Sequence, residues 1–448
     1  MNEVAKPTAE KPVEDNRPSV LFASPMSVLD ITSGAALSMR TFLSALAARG
    51  FRSVALQATL FDSAQGGEHV NEASDKAKDK DIVKTRVLGV EHIIVKTKAV
   101  RRPDMTCMEQ ERYIRSFRNE IINRRPDMII LWGGMLLEMS IMREAREAGI
   151  PVFFYLVNSG YKNKDTFKYA SAIVTDTQAT ANMYKERHNL TCYPIGKFID
   201  PKLFKAPRYD RKYITFINPS FEKGVNVFLP LAKLAAKECP EINFLVVQSR
   251  GRWGVALKVL GFKPDDFPNV TVIGHQKDMR KVYANTKVLL LPSTWYESGA
   301  RVIAESLING IPVFASDTGG SSELVGDAGE LFQLSKTVQD EKTTAATEDD
   351  VRPWLEAVKK VWHDEDYYKG LCEKVEIEAK NHDIQTSVDR FLAVREPVIE
   401  RTRKDYELQL KQREQYMQAS STNAKDVMKQ ALQKKNAKQA KRNKKSKK

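Results

Sequence analysis

The stretch LLLPSTWYESGARVIAESLINGIPVFASDTGGSSELVG, residues 289–326, decides how the chain is read. An apolar run, expected as a buried strand, ends at Thr294. A loop then carries Glu297, and Ser298-Gly299 opens a helix expected over Ala300–Asn309, with Gly310 closing it. A second apolar run, IPVFASD, follows as another strand. Glu297 and Glu305 stand two helical turns apart, about 12 Å along the axis. Unpaired backbone amides at a helix start, with the helix dipole, attract an anion. A carboxylate beside such an anion site, with another two turns away, suits a ligand that has a phosphate centre and hydroxyls at both ends. A nucleotide-sugar is such a ligand.

Outward from this stretch, the chain alternates short apolar runs with amphipathic segments, the signature of α/β units around parallel sheets. SVLFASPM reads as the first strand, Thr32–Arg49 as a helix, and FRSVALQATLF as the second strand. Asp62–Asp81 is polar without apolar period and reads as a mobile surface loop. HIIVKTK, DMIILWGG, IPVFFYLVN and SAIVTDT are further strands, separated by helices at Met108–Arg125, Leu136–Gly149 and Ala179–Asn189. After a Pro-containing connector, FIDPKLFKAPRYDRK, a second series begins: YITFINP, INFLVVQS, NVTVIGH, VLLLPST and IPVFASD, with a helix at Gly224–Glu238. Two doubly wound domains in series, of about 180 residues each, follow from this order. The expected divisions are a disordered N-terminus over 1–16, a first Rossmann-like domain over 17–207, and a second over 208–385. A crossing helix over 386–400 returns to the first domain, and a Lys-rich tail fills 401–448.

Composition narrows the class. The 448 residues are 42% hydrophobic and 29% charged, enough apolar material for a core, which excludes wholesale disorder. No apolar run approaches the length of a membrane-spanning helix. The N-terminus lacks the apolar core of a signal peptide, so the chain is expected in the cytoplasm or peripherally at the membrane's inner face. The four cysteines lie far apart and suggest neither a disulfide framework nor a zinc site. No cluster has metal-ligand spacing, so no metal and no cofactor is expected. The charge is uneven: residues 401–448 hold 16 Lys+Arg and 4 Asp+Glu, whereas residues 1–400 hold 55 and 53. The basic balance therefore belongs to the tail, whose +12 suits a nucleic acid or an anionic membrane.

The segment YESGARVIAESLINGIPVFASDTGGSSELV resembles the E-x7-E region of glycosyltransferase family 4, the retaining glycosyltransferases of the GT-B fold. Glu297, Gly299, Glu305, Gly310, Pro312, Val313, Gly319, Gly320 and Glu323 match that family's pattern in order. The resemblance implies two Rossmann-like domains facing a central cleft, the first on the acceptor side and the second binding the nucleotide-sugar. It implies that Glu297 holds hydroxyls of the donor sugar and that Glu305 binds the nucleotide ribose. The amides of Ser298, Gly299 and Ala300 would face the donor phosphates. On this reading a hexosyltransferase acting on a glycan or lipid-linked acceptor is expected, and one independent of a divalent metal, because no ligand cluster is visible and Lys223 with the helix amides can hold the diphosphate.

Two other clusters belong to this reading. In ITFINPSFEKGVNVF, Lys223 keeps one of the family's two diphosphate-binding basic residues, while Asn218 stands where the other, an arginine, is usual. Arg250 and Arg252, in QSRGRWG, offer replacement charge for the leaving diphosphate. In the first domain, Ser33-Gly34-Ala35 resembles the small-residue loop that approaches the diphosphate, and Gly34 would admit backbone near a phosphate. Where the family often shows a histidine, this chain has Asn158 or Ser159. The six histidines read as ordinary surface or core residues. Three alternatives stand beside this one. The acceptor is a modified base in DNA, or the chain is a nucleotide-sugar 2-epimerase, or it is a non-catalytic polyanion-binding protein on a GT-B scaffold. A pure binding module would not need Glu297, Glu305 and Lys223 together.

Overall fold

A computed structural model describes residues 15–67, 70 and 80–445. The expected disordered stretch 1–16 falls almost wholly outside the described residues, as do 68–69 and 71–79 of the expected mobile loop. The chain divides into two compact units, one running to Arg395 and the other beginning at Glu396.

The first unit contains both sheets. Its first sheet has eight strands: β1 Ser19–Ala23, β2 Arg52–Ala58, β3 Ile82–Val87, β4 Val90–Val95, β5 Met128–Leu131, β6 Val152–Leu156, β7 Ala172–Thr175 and β8 Cys192–Pro194. Their order is β3-β4-β2-β1-β5-β6-β7-β8, parallel throughout except for the antiparallel β3–β4 pair. The apolar runs account for this. Every residue of β1 (SVLFA) and of β6 (VFFYL) is buried, as a strand covered by helices on both faces requires.

The second sheet has six parallel strands: β9 Tyr213–Ile217, β10 Phe244–Val247, β11 Val270–Ile273, β12 Thr286–Leu291, β13 Val313–Ser316 and β14 Gly329–Phe332, in the order β11-β10-β9-β12-β13-β14. Strand order reverses at β1, between β2 and β5, and again at β9, between β10 and β12. At such a reversal the loops beyond the strands' carboxyl ends diverge and leave a crevice for ligand.

Three strands escape the sequence reading. β3 (IVKTRV) is an edge strand with only Val83 buried, β8 is three residues ending in proline, and β14 (GELF) has no fully buried residue. The region expected to be helical throughout 350–400 is three helices, Glu348–His363, Glu365–Glu378 and Ile384–Lys445, with breaks at Asp364 and around Asp383. The first turns of the last helix pack on the first sheet domain. Phe391 lies edge-on to Phe42 at 4.8 Å, Arg49 pairs with Asp389, and Ser387 Oγ donates to the Lys197 carbonyl at 3.0 Å. In the second unit the chain remains helical to Lys445, and residues 407–418 are exposed, so the start of the Lys-rich segment is a solvated helix.

Candidate functional site

The crevices of the two sheets open onto one cleft of about 580 Å³. The second domain supplies Asn218 and Lys223 after β9, Arg250 after β10, and Glu297, Gly299 and Ala300 after β12, with Glu305 on the helix Arg301–Ile308. The first domain supplies Thr32 and Gly34 after β1, Arg40 on the helix Gly34–Ala48, Asn158 after β6 and Lys197 after β8. Ser33 caps that helix, its hydroxyl accepting from the Ala36 amide, which fixes where Gly34 meets the cleft.

Glu297 is 6% exposed and holds its place through one carboxylate oxygen. Its Oε1 accepts from Lys223 Nζ at 2.5 Å and from Ser293 Oγ at 2.6 Å. Oε2 makes no hydrogen bond to a described residue, which leaves it for a ligand. The backbone behind Glu297 is set by Gly320, whose amide donates to the Glu297 carbonyl at 2.6 Å. Gly319 has φ +60°, and a β-carbon there would fall 2.3 Å from that same carbonyl oxygen, so the turn admits only glycine.

Glu305 is differently placed. Both of its oxygens are occupied: Oε2 accepts from the Tyr283 hydroxyl at 2.5 Å, and Oε1 stands 2.5 Å from Arg301 Nε in an ion pair without hydrogen-bond alignment. Burial and the neighbouring Glu305 charge push the Tyr283 hydroxyl far above its ordinary pKa, so it remains a donor. Arg301 also bridges the domains, its Nη1 donating to the Phe198 carbonyl at 3.0 Å and to Ser38 Oγ at 3.1 Å.

The expected helix start needs correction. The helix begins at Arg301 rather than at Ser298-Gly299, so Glu297 precedes it in a loop and the two-turn spacing does not relate the two carboxylates. Gly299 and Ala300 line the cleft, and their amides make no hydrogen bond to a described residue. Ser298 is not brought to the cleft. Its hydroxyl is buried, and its carbonyl accepts from Thr177 Oγ1 at 2.7 Å and from Thr180 Oγ1 at 3.2 Å, both in the first domain. Glu323 makes a parallel tie, accepting from the Gln178 and Ala179 amides at 2.9 Å each, at the start of the helix Gln178–His188.

Asn218 lines the cleft with φ +65°, and its side chain accepts from the Gly251 amide at 2.7 Å. It therefore shapes the loop that presents Arg250, while Arg252 lies at the N-cap of the helix Trp253–Leu260 and outside the cleft lining. Asn158 lines the cleft and Ser159 does not. His275 also lines the cleft.

Several cleft residues were not singled out from sequence. Lys197 Nζ contacts Asp176 Oδ2 at 2.5 Å, and the Tyr155 hydroxyl donates to Asp176 Oδ1 at 2.5 Å. Burial pushes the Asp176 carboxyl above its usual range, against the opposing pull of Lys197. Gly299 lies against this group: a β-carbon there would come within 2.6 Å of Asp176 Cβ. Sequence carries no signal for Asp176 or Lys197, whereas Arg301, four residues before Glu305 on one helix, was legible as an ion pair. Among the described residues, no group of three or more His, Cys, Asp or Glu is arranged to hold a metal ion, and no helix is long and apolar enough to cross a membrane.

Residues 211–364 match the family model described as glycosyl transferases group 1. No curated protein sequence matches the chain. Among solved structures, it is similar to sucrose-phosphate synthase from Thermosynechococcus elongatus, with 13% identity, a TM-score of 0.63, and coverage of 84% of this chain and 98% of that one. A glycosyltransferase from Rickettsia africae is similar at 12% identity and a TM-score of 0.62, covering 86% of this chain and 99% of that one. HepE of Anabaena, determined in complex with UDP and glucose, is similar at 14% identity and a TM-score of 0.58, covering 84% of this chain and 99% of that one. The chain thus has the two-domain fold of GT-B glycosyltransferases, and its second domain carries the group 1 glycosyltransferase pattern.

Proposed function

We propose that the chain is a retaining glycosyltransferase of the family 4 kind, moving a hexose from a nucleotide-diphosphate sugar to a glycan or lipid-linked acceptor in the cytoplasm. The observation that carries this reading is the convergence on one cleft of a Glu297 oxygen free for a ligand, the cations Lys223 and Arg250, and the bare Gly299 and Ala300 amides. HepE, of the same fold, holds UDP and glucose. In the reaction, the bond from the anomeric carbon to the diphosphate breaks, and a bond to the acceptor oxygen forms on the same face. The acceptor proton leaves with the diphosphate. Glu297 orients the sugar hydroxyls, Glu305 lies on the nucleotide side with Asn218 and Gly34 along the diphosphate, and Lys223, Arg250 and the amides stabilise the charge that develops on the leaving group.

These fixed donors are the basis for a reaction that needs no divalent metal. Incubation with a panel of UDP-, GDP- and ADP-hexoses should release nucleotide diphosphate from at least one, and equally in EDTA. Abolition by EDTA with rescue by Mn²⁺ would contradict metal independence, and no release from any donor would sink the reading.

The +12 of residues 401–448 favours a polyanionic partner, either an anionic membrane carrying a lipid-linked acceptor or, as the second reading, DNA carrying a modified base. Deleting 401–448 should spare donor hydrolysis, because no candidate site residue lies there. It should also flatten the salt dependence of binding to duplex DNA or to phosphatidylserine vesicles. If neither binding changes, the tail has no polyanionic partner.

A further inference from the structure

Two arginines of the cleft lining, Arg250 in the second domain and Arg40 in the first, have no carboxylate partner among the described residues. Lys223 faces Glu297, Arg301 faces Glu305 and Lys197 faces Asp176. Arg40, on the first-domain wall, makes no hydrogen bond or ion pair with any described residue. The acid whose charge it feels is already committed: Asp30 Oδ1 accepts from the Thr32 amide and hydroxyl at 2.7 Å each, and Oδ2 accepts from the Asp62 amide at 2.7 Å. Burial holds the Arg40 guanidinium below its ordinary pKa, and the charge of Arg301 lowers it further, with only Asp30 opposing. Arg301 has unmet capacity of its own, since its Nη2 is buried with no hydrogen-bond partner among the described residues. Two neighbouring guanidiniums with unfilled donors on the wall of a cleft are costly to the empty protein, because desolvation and like-charge repulsion act together. An anion seated on Arg40 would relieve both terms and meet a fork of donors suited to phosphate.

We propose that Arg40 forms a binding site for a phosphate ester on the acceptor, so that the acceptor is a phosphorylated sugar. This rests on the glycosyltransferase reading, which assigns the charge of the donor diphosphate to Lys223, Arg250 and the Gly299–Ala300 amides of the second domain, with Gly34 of the first domain beside it. The first-domain residues that share the cleft lining with Arg40 fit the sugar of such an acceptor: Asp62 offers a carboxylate for sugar hydroxyls and Leu88 an apolar surface.

Titration calorimetry on the full chain tests this, with glucose 1-phosphate, glucose 6-phosphate and mannose 6-phosphate as probes, glucuronate as a carboxylate control and glucose as a neutral one. At least one hexose phosphate should bind about tenfold more tightly than glucose and than glucuronate. Arg40→Gln should weaken that binding by about tenfold, and Arg40→Lys should recover part of it. Affinity for UDP should stay nearly the same in both variants, and Arg40→Gln should melt no lower than the parent chain, because it removes a cation that has no partner. Hexose phosphates that bind no better than glucose or glucuronate, or binding unchanged by Arg40→Gln, would overturn the proposal. So would a loss of UDP affinity in the same proportion, which would make Arg40 a donor residue. Binding is read without turnover, so a chain that transfers no sugar would still report on Arg40, and the two readings fail separately.

Discussion

Replacing Glu297 by glutamine is expected to lower turnover about 100- to 1,000-fold, the scale seen when a group that stabilises the transition state is removed. The side chain keeps its size, and an amide oxygen can still accept from Ser293 Oγ, now 2.6 Å from Oε1. What is lost is charge. The carboxylate pairs with Lys223 at 2.5 Å and presents its second oxygen to the sugar, where positive character develops as the bond to the diphosphate breaks. An uncharged amide attracts that character weakly and leaves Lys223 without its counter-charge. Melting temperature should change little, because Lys223 is partly exposed and can be solvated. Steady-state release of nucleotide diphosphate by parent and variant measures the effect. Full turnover in Glu297→Gln across all donors would remove Glu297 from the mechanism.

Glu305→Ala should be the more damaging change to the protein itself. Both oxygens of this 4% exposed carboxylate are engaged, so truncation strands the buried Arg301 charge and the Tyr283 hydroxyl together. Removing one partner of a buried ion pair costs about 3–5 kcal/mol. Arg301 also joins the two domains through Phe198 and Ser38, so its release should loosen the cleft as well as the second domain. Urea unfolding should show a large loss of stability, and UDP titration a weakened affinity. Glu305→Gln, which retains the volume and one acceptor, should keep more stability than Glu305→Ala while still weakening UDP. Parent-like stability in Glu305→Ala would show that Arg301 finds another partner.

The fold was legible wherever strands are buried on both faces, because continuous apolar runs such as VFFYL and VLLL leave little choice of structure. It was not legible where a strand lies at a sheet edge. IVKTRV is one-third charged and buries only Val83, and CYP is too short to show a period, so pairing with a neighbour decides their structure. The site shows the same division. Glu297, Glu305, Lys223, Asn218 and Arg250 stand at strand ends or on the following helix, where the βα pattern indexes them. Asp176, Lys197 and Arg40 come together only through tertiary packing. Ser298 shows the opposite failure. Its place in the motif suggests a phosphate contact, but hydroxyls from Thr177 and Thr180 claim its carbonyl across the domain interface, which no local pattern can reveal.

The central claim is that the cleft activates a nucleotide-sugar and transfers its sugar with retention. Proton NMR of the first sugar product from an α-linked nucleotide-hexose tests it most directly, by reading the anomeric proton before mutarotation. An α product is expected, formed about 100- to 1,000-fold more slowly in Glu297→Gln. A β product formed first would contradict retention, and unchanged α signals in Glu297→Gln would contradict the assignment of this cleft as the site of transfer.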